Sequence, residues 1–92
     1  MTQKPIDISD RRARIDTVDQ ILVDLVNRRL EFAIEIGRIK RDSGLQVRDA
    51  TRERELIDRL QRYNNGPMSD AAISDLFTRI IAEARILEGE TT

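Results

Sequence analysis

Residues 15–41 read IDTVDQILVDLVNRRLEFAIEIGRIKR, and this stretch decides the fold class. Its apolar residues recur at alternating spacings of three and four, which is typical of one face of a long α-helix. The pattern is interrupted once, where Arg29 takes an apolar position. The apolar positions of this face are Ile15, Val18, Leu22, Leu25, Phe32, Ile36 and Ile39.

The flanking residues predict where this first helix begins and ends. Ser9 or Asp10 is predicted to cap its start, since both residue types accept hydrogen bonds from free backbone N–H groups. The helix is predicted to end near Arg41, because Gly44 suits the left-handed conformation that follows many helices.

Two shorter helices are predicted after it. The second spans Ala50–Tyr63 with Asp49 as N-cap, and the breaker Asn-Asn-Gly-Pro follows at 64–67. The third begins after Ser69 and ends by Gly89. No strand pattern competes, so the chain is predicted to be all-α. The apolar faces are Leu56, Ile57 and Leu60 in the second helix and Ile73, Leu76, Phe77, Ile80, Ile81, Ala84 and Leu87 in the third.

The length of the first helix predicts an assembly. A helix of about 30 residues is roughly 45 Å long, whereas a compact chain of this size has a radius of gyration of about 12 Å. Two short helices do not cover such a rod, so an intertwined helical homodimer is predicted. The alternative is a monomer with a bent or frayed first helix.

Composition narrows the classes of function. The 92 residues fit one domain, 1–92, with flexible ends at 1–9 and 89–92. The net charge of −1 gives no general reason to bind nucleic acid. Without Cys or His, a disulfide, an imidazole or thiolate metal site and a Ser-His or Cys-His nucleophile are excluded. Residues 1–9 show no signal-peptide core and no apolar run is long enough for a membrane, which predicts a cytoplasmic protein.

Two cations lie on the predicted buried face of the first helix. Arg29 and Lys40 are eleven residues apart, close to three turns, and only Ala33 and Ile36 lie on the line between them. Their backbones are about 16 Å apart, so their side chains bracket a small apolar floor where one dianion fits. The alternative is that both side chains extend to solvent or pair with acids on the helix.

Further charged residues flank apolar positions elsewhere. Arg12 lies one turn before Ile15, Arg52 and Glu53 lie one turn before the apolar stripe of the second helix, and Glu88 extends that of the third. Each alone is typical of a solvated surface. Together with Arg29 and Lys40 they indicate a receptor for a small dicarboxylate, since the fork of arginine matches a carboxylate.

These residues also carry a resemblance to a known family. The chain resembles the all-helical, AroQ-type chorismate mutases, especially the bacterial kind fused to prephenate dehydratase, over about 12–88. The third helix matches through Leu76-Phe77 and Ile80-Ile81. The other matching segments are 15–19 (IDTVD), 27–40 (NRRLEFAIEIGRIK) and 47–55 (VRDATRERE).

The resemblance implies an isomerase of phenylalanine and tyrosine biosynthesis that converts chorismate to prephenate without a cofactor, in an intertwined homodimer. It implies that a fused domain or partner enzyme of the same pathway is possible. By position, Arg29, Arg52 and Lys40 bind the substrate carboxylates, with Arg12 reaching in from the other subunit. Lys40 and Glu88 face the ether oxygen, and Asp49 and Glu53 lie near the ring hydroxyl.

Two positions depart from the common bacterial pattern. Ala84 stands where a serine often contacts a carboxylate, so one hydrogen bond is expected to be missing. Glu88 stands where bacterial members usually carry glutamine and fungal relatives carry glutamate, which makes the pH dependence of activity a question.

The implied reaction fits a chain without His or Cys, because a pericyclic rearrangement requires no proton transfer and no covalent intermediate. Two alternatives stay open. One is an isochorismate pyruvate lyase, which shares the fold and a similar cationic pocket. The other is a non-catalytic helical dimerisation module, in which the cations decorate the surface.

Overall fold

The structure is a computed structural model that describes residues 7–45 and 49–89. They form three helices, α1 (Ile8–Ser43), α2 (Ala50–Tyr63) and α3 (Asp70–Leu87), and no strand occurs among them. The all-α prediction is confirmed. Within these residues, no helix is both long enough and apolar enough to cross a bilayer.

The starts of α2 and α3 are set by the predicted caps. The Asp49 carboxylate accepts a hydrogen bond from the backbone N–H of Arg52 at 3.0 Å. The Ser69 hydroxyl accepts one from the N–H of Ala72 at 3.1 Å. Each satisfies an amide that the first turn of a helix leaves without a backbone partner.

The predicted start of α1 is wrong. Asp7 is the N-cap, because its carboxylate accepts hydrogen bonds from both the backbone N–H and the hydroxyl of Ser9, at 2.9 and 2.6 Å. Ser9 and Asp10 are therefore already helical. At the other end α1 continues two residues past Arg41, and Gly44 has the predicted left-handed conformation, with φ of 70°. Residues 1–6 and 90–92, which make up most of the predicted flexible ends, lie outside the described residues.

The core forms where α3 packs against both other helices. Its buried apolar residues are Ala33 from α1 and Ile73, Ile80, Ile81 and Ala84 from α3. No α-carbon of α1 approaches one of α2 within 8 Å. The two helices thus stand apart on α3 and leave a space between them.

The first half of α1 projects away from this core. Every residue from Asp7 to Leu25 is exposed, and large apolar side chains such as Leu25 (61% exposed) and Val18 (53%) face outward. The radius of gyration is 18.1 Å and the longest extent is 69 Å, against about 12 Å for the radius of a compact chain of this length. The predicted apolar stripe of α1 therefore exists but is not covered by the chain's own helices.

Candidate active site

A cavity of about 240 Å³ occupies the space between α1 and α2, next to the C-terminal half of α3. All predicted site residues except Arg12 line it. The lining consists of Arg29, Phe32, Ala33, Ile36, Lys40, Asp49, Arg52, Glu53, Leu56, Ile81, Ala84, Arg85 and Glu88. Charged groups thus surround an apolar floor, as the spacing in the first helix predicted.

The α1 wall presents Arg29 and Lys40 with Ala33 and Ile36 between them. Arg29 is partly buried, and burial is the largest cause that lowers the pKa of its guanidinium from the ordinary value. The positive charge of Arg52 acts in the same direction, whereas Glu88 opposes it. Two arginines from different helices are therefore close enough to repel, and a bound carboxylate would relieve that repulsion.

The α2 wall is the first turn of that helix. Asp49 caps the helix, and the geometry of the cap places Arg52 and Glu53 at the cavity within the first turn. The N-terminus of a helix also carries free N–H groups and a partial positive charge, which favour an anion. Val47 and Arg48, which belong to the segment of resemblance, lie outside the described residues.

The carboxylate of Glu88 reaches the cavity from the end of α3. Its side chain is 12% exposed, and its Oε2 lies 3.9 Å from Nζ of Lys40. Burial raises the pKa of Glu88 above its ordinary value and outweighs the opposing positive charges, of which Lys40 is the largest and Arg29 the next. The negative charge of Glu53 adds to the rise in pKa, and Arg85 opposes it less than Lys40 and Arg29 do. In this site, the effect of burial on the pKa of Glu88 is therefore larger than the effect of the neighbouring cations.

Two residues that the sequence reasoning did not single out fix the position of Glu88. Gly37 of α1 is buried, and a Cβ on it would lie 2.7 Å from the Glu88 α-carbon and 2.8 Å from its carbonyl oxygen. Nη1 of Arg41 donates to that same carbonyl at 2.7 Å. Gly37 lies four residues after Ala33 and three before Lys40, so helical periodicity already placed a residue without a side chain on the cavity face.

Arg85 is a third residue that the sequence reasoning missed. Its Nη1 lies 3.0 and 3.1 Å from the two carboxylate oxygens of Glu53, and each side chain is 21% exposed. The pair connects α3 to the first turn of α2 at the edge of the cavity. The sequence does contain a signal that places Arg85 near Glu88, because Ile81, Arg85 and Glu88 are spaced at i, i+4 and i+7 on one face of the third helix.

Arg12 is the predicted site residue that the chain does not bring to this cavity. It is exposed on the projecting half of α1, and the helical rise puts it about 25 Å from Arg29 along the axis. Its predicted role remains a prediction and requires a second copy of the chain.

The arrangement is suited to binding a small anion. Four cationic and three acidic side chains line the cavity, and its remaining lining residues are all apolar. Within residues 7–45 and 49–89, no three Asp or Glu side chains group together as they would to hold a metal ion. The chemistry that these groups offer is electrostatic binding and orientation.

Two solved structures that share this architecture are both chorismate mutases. The Thermus thermophilus chorismate mutase in its form II matches with a TM-score of 0.87 and 32% identity, over 91% of this chain and 96% of that one. The Helicobacter pylori chorismate mutase, solved in complex with prephenate, matches with a TM-score of 0.80 and 27% identity, over 88% of each chain.

Sequence comparison gives the same result. Bifunctional chorismate mutase/prephenate dehydratases from Neisseria gonorrhoeae and Escherichia coli are 33% and 38% identical over 81 and 74 residues. The chain spans about a fifth of the length of these relatives, 22% and 19% respectively. The model of the family described as chorismate mutase type II matches residues 11–89. The chain therefore belongs to the chorismate mutase type II family.

Proposed function

We propose that the chain rearranges chorismate to prephenate in the cavity between α1 and α2, and that a second copy of the chain completes this site. The observation that supports the site is the convergence of Arg29, Lys40 and Arg52 on one apolar floor. The substrate is a dicarboxylate, and the product is one that a structural neighbour of this fold binds.

The side chains supply two effects that such a rearrangement needs. Arg29 and Arg52 bind the carboxylates and hold the substrate in its compact reactive conformer. Lys40 donates a hydrogen bond to the ether oxygen, where negative charge grows as the carbon–oxygen bond breaks, and Glu88 is its partner at that atom. Asp49 and Glu53 lie near the ring hydroxyl. No group has to act as a base or nucleophile.

The homodimer is proposed from the uncovered half of α1. A symmetric partner would cover the apolar face between Ile8 and Leu25 and would bring its own Arg12 to the open side of the cavity. That arginine would add one positive charge to the cavity. We further propose a cytoplasmic enzyme, either alone or joined to another enzyme of the pathway as in its bifunctional relatives.

The direct test is loss of chorismate absorbance with purified protein, with isochorismate assayed in parallel. We expect chorismate turnover and formation of prephenate. Release of pyruvate from isochorismate, with no action on chorismate, would identify the lyase instead. Inactivity on both substrates, together with no binding of a bicyclic transition-state analogue, would leave the dimerisation module.

The buried Glu88 predicts an unusual pH profile. An ionised carboxylate cannot donate to the ether oxygen, whereas a protonated one can. Because burial raises the pKa of Glu88, the protonated fraction grows as the pH falls towards and below that value. We expect kcat/KM to rise from about pH 8 towards about pH 5, until the substrate or the fold titrates.

Glu88→Gln is the matched variant for this prediction, since it supplies a permanent donor of nearly the same shape. It should flatten the profile and raise kcat/KM at neutral pH. If the profiles of the wild type and Glu88→Gln superimpose, Glu88 does not act at the ether oxygen.

A further inference from the structure

The proposed function leaves one cation of the cavity without a task, namely Arg85, which pairs with Glu53. Both line the cavity, both are 21% exposed, and Nη1 of Arg85 reaches both oxygens of the Glu53 carboxylate. A solvent-exposed ion pair of this kind contributes little to the stability of the fold. This pair is largely shielded from solvent, so its charges interact strongly with other charges in the cavity.

The acids of the cavity create a difficulty for a dianionic substrate. The Asp49 carboxylate is exposed and engaged in capping α2, and the carboxylate of Glu88 lies near Lys40 with its pKa raised. Glu53 is the remaining acid, and an ionised carboxylate there would repel the substrate across a poorly solvated space. Arg85 is the cation in direct hydrogen-bond contact with it.

Resting on the proposed function, we infer that Arg85 is a positioning residue that neutralises Glu53 and fixes the direction of its carboxylate. Glu53 can then accept a hydrogen bond from the substrate's hydroxyl without weakening the binding of two carboxylates. Arg85 acts through Glu53, to whose carboxylate its Nη1 donates.

Two single variants separate this role from a merely structural one. Arg85→Met leaves the Glu53 charge uncompensated, so we expect KM for chorismate to rise at least about tenfold. Glu53→Gln keeps an acceptor oxygen and leaves the Arg85 charge in excess, so KM should stay level or fall while kcat decreases. If the pair only tied α2 to α3, both variants would break the same contact and would change KM in the same direction.

Three further variants complete the experiment. Arg85→Lys keeps the positive charge but not the shape, so KM should remain within about threefold of the wild type while kcat drops, because an ammonium is a point charge. The double variant Arg85→Met/Glu53→Gln should restore most of the lost affinity. Arg79→Met is the control, because Arg79 forms an exposed ion pair with Glu83 on the same helix and lies outside the cavity.

The outcomes are distinguishable. A wild type that does not convert chorismate overturns the proposed function. A wild type that converts it, with KM unchanged in Arg85→Met or raised alike in Arg85→Met and Glu53→Gln, overturns the role of Arg85 alone. Should Arg85→Met lose its helical content, the KM values of Arg85→Lys and Glu53→Gln decide, and a tenfold rise in both contradicts the proposal.

Discussion

Lys40→Ala is expected to lower kcat/KM by at least about a hundredfold, in line with the loss of one donor that stabilises developing charge. Lys40 lies on the cavity face of α1 and is close to Glu88, the other group proposed to act at the ether oxygen. Its removal also takes away the positive charge that most opposes the rise in the pKa of Glu88. Steady-state kinetics on chorismate measure the effect.

Arg38→Ala is the control for this variant, because Arg38 is an exposed cation two residues earlier on the same helix. It should leave kcat/KM within about twofold of the wild type, as most surface substitutions have small effects. Circular dichroism should show equal helical content in both variants. Near-normal turnover by Lys40→Ala would remove Lys40 from the mechanism.

Arg12→Ala and Arg29→Ala are each expected to be nearly inactive alone and to recover activity when mixed. In a mixed dimer, one site combines an intact Arg29 with an intact Arg12 from the partner, and the other site lacks both. With random exchange, half of the dimers are mixed, so about a quarter of the wild-type activity should return. This recovery is possible because the two residues lie about 25 Å apart along α1, so that Arg12 and Arg29 of one chain serve different sites.

Subunit exchange has to be shown independently, by pull-down of an untagged variant with a tagged one. Arg11→Ala is the matched control, since Arg11 is exposed beside Arg12 and its neighbouring position turns it to another side of the helix. The Arg11→Ala variant should retain activity without being mixed with a second variant. No recovery despite proven exchange would mean that the site is not shared between copies.

The helices were largely predictable because their signals are local. The capping residues Asp49 and Ser69 act within three residues of their own positions, and Gly44 ends α1 through its own backbone conformation. The start of α1 was missed because Asp7, Ser9 and Asp10 are all good capping residues within four positions. Which of them caps depends on the hydrogen bonds that Asp7 forms with Ser9.

Periodicity alone predicted the faces of the site one helix at a time, and the resemblance joined residues of all three helices into one site. Periodicity placed Arg29 and Lys40 on one face of α1, and the structure brings them to the same cavity. The pairing of Arg85 with Glu53 joins residues 32 positions apart, and the contact of Arg41 with Glu88 joins residues 47 apart. Such contacts depend on how the helices pack, and a single sequence contains no local signal for that.

The exposed half of α1 also has a consequence for folding thermodynamics. Residues 8–25 are all exposed within the part of the chain that the structure describes, whereas a helix in a protein owes most of its stability to packing of its apolar face. In the proposed dimer, this segment becomes ordered and buried only on association, so folding and assembly form one equilibrium. The midpoint of thermal unfolding should therefore rise with protein concentration, because mass action favours the associated state.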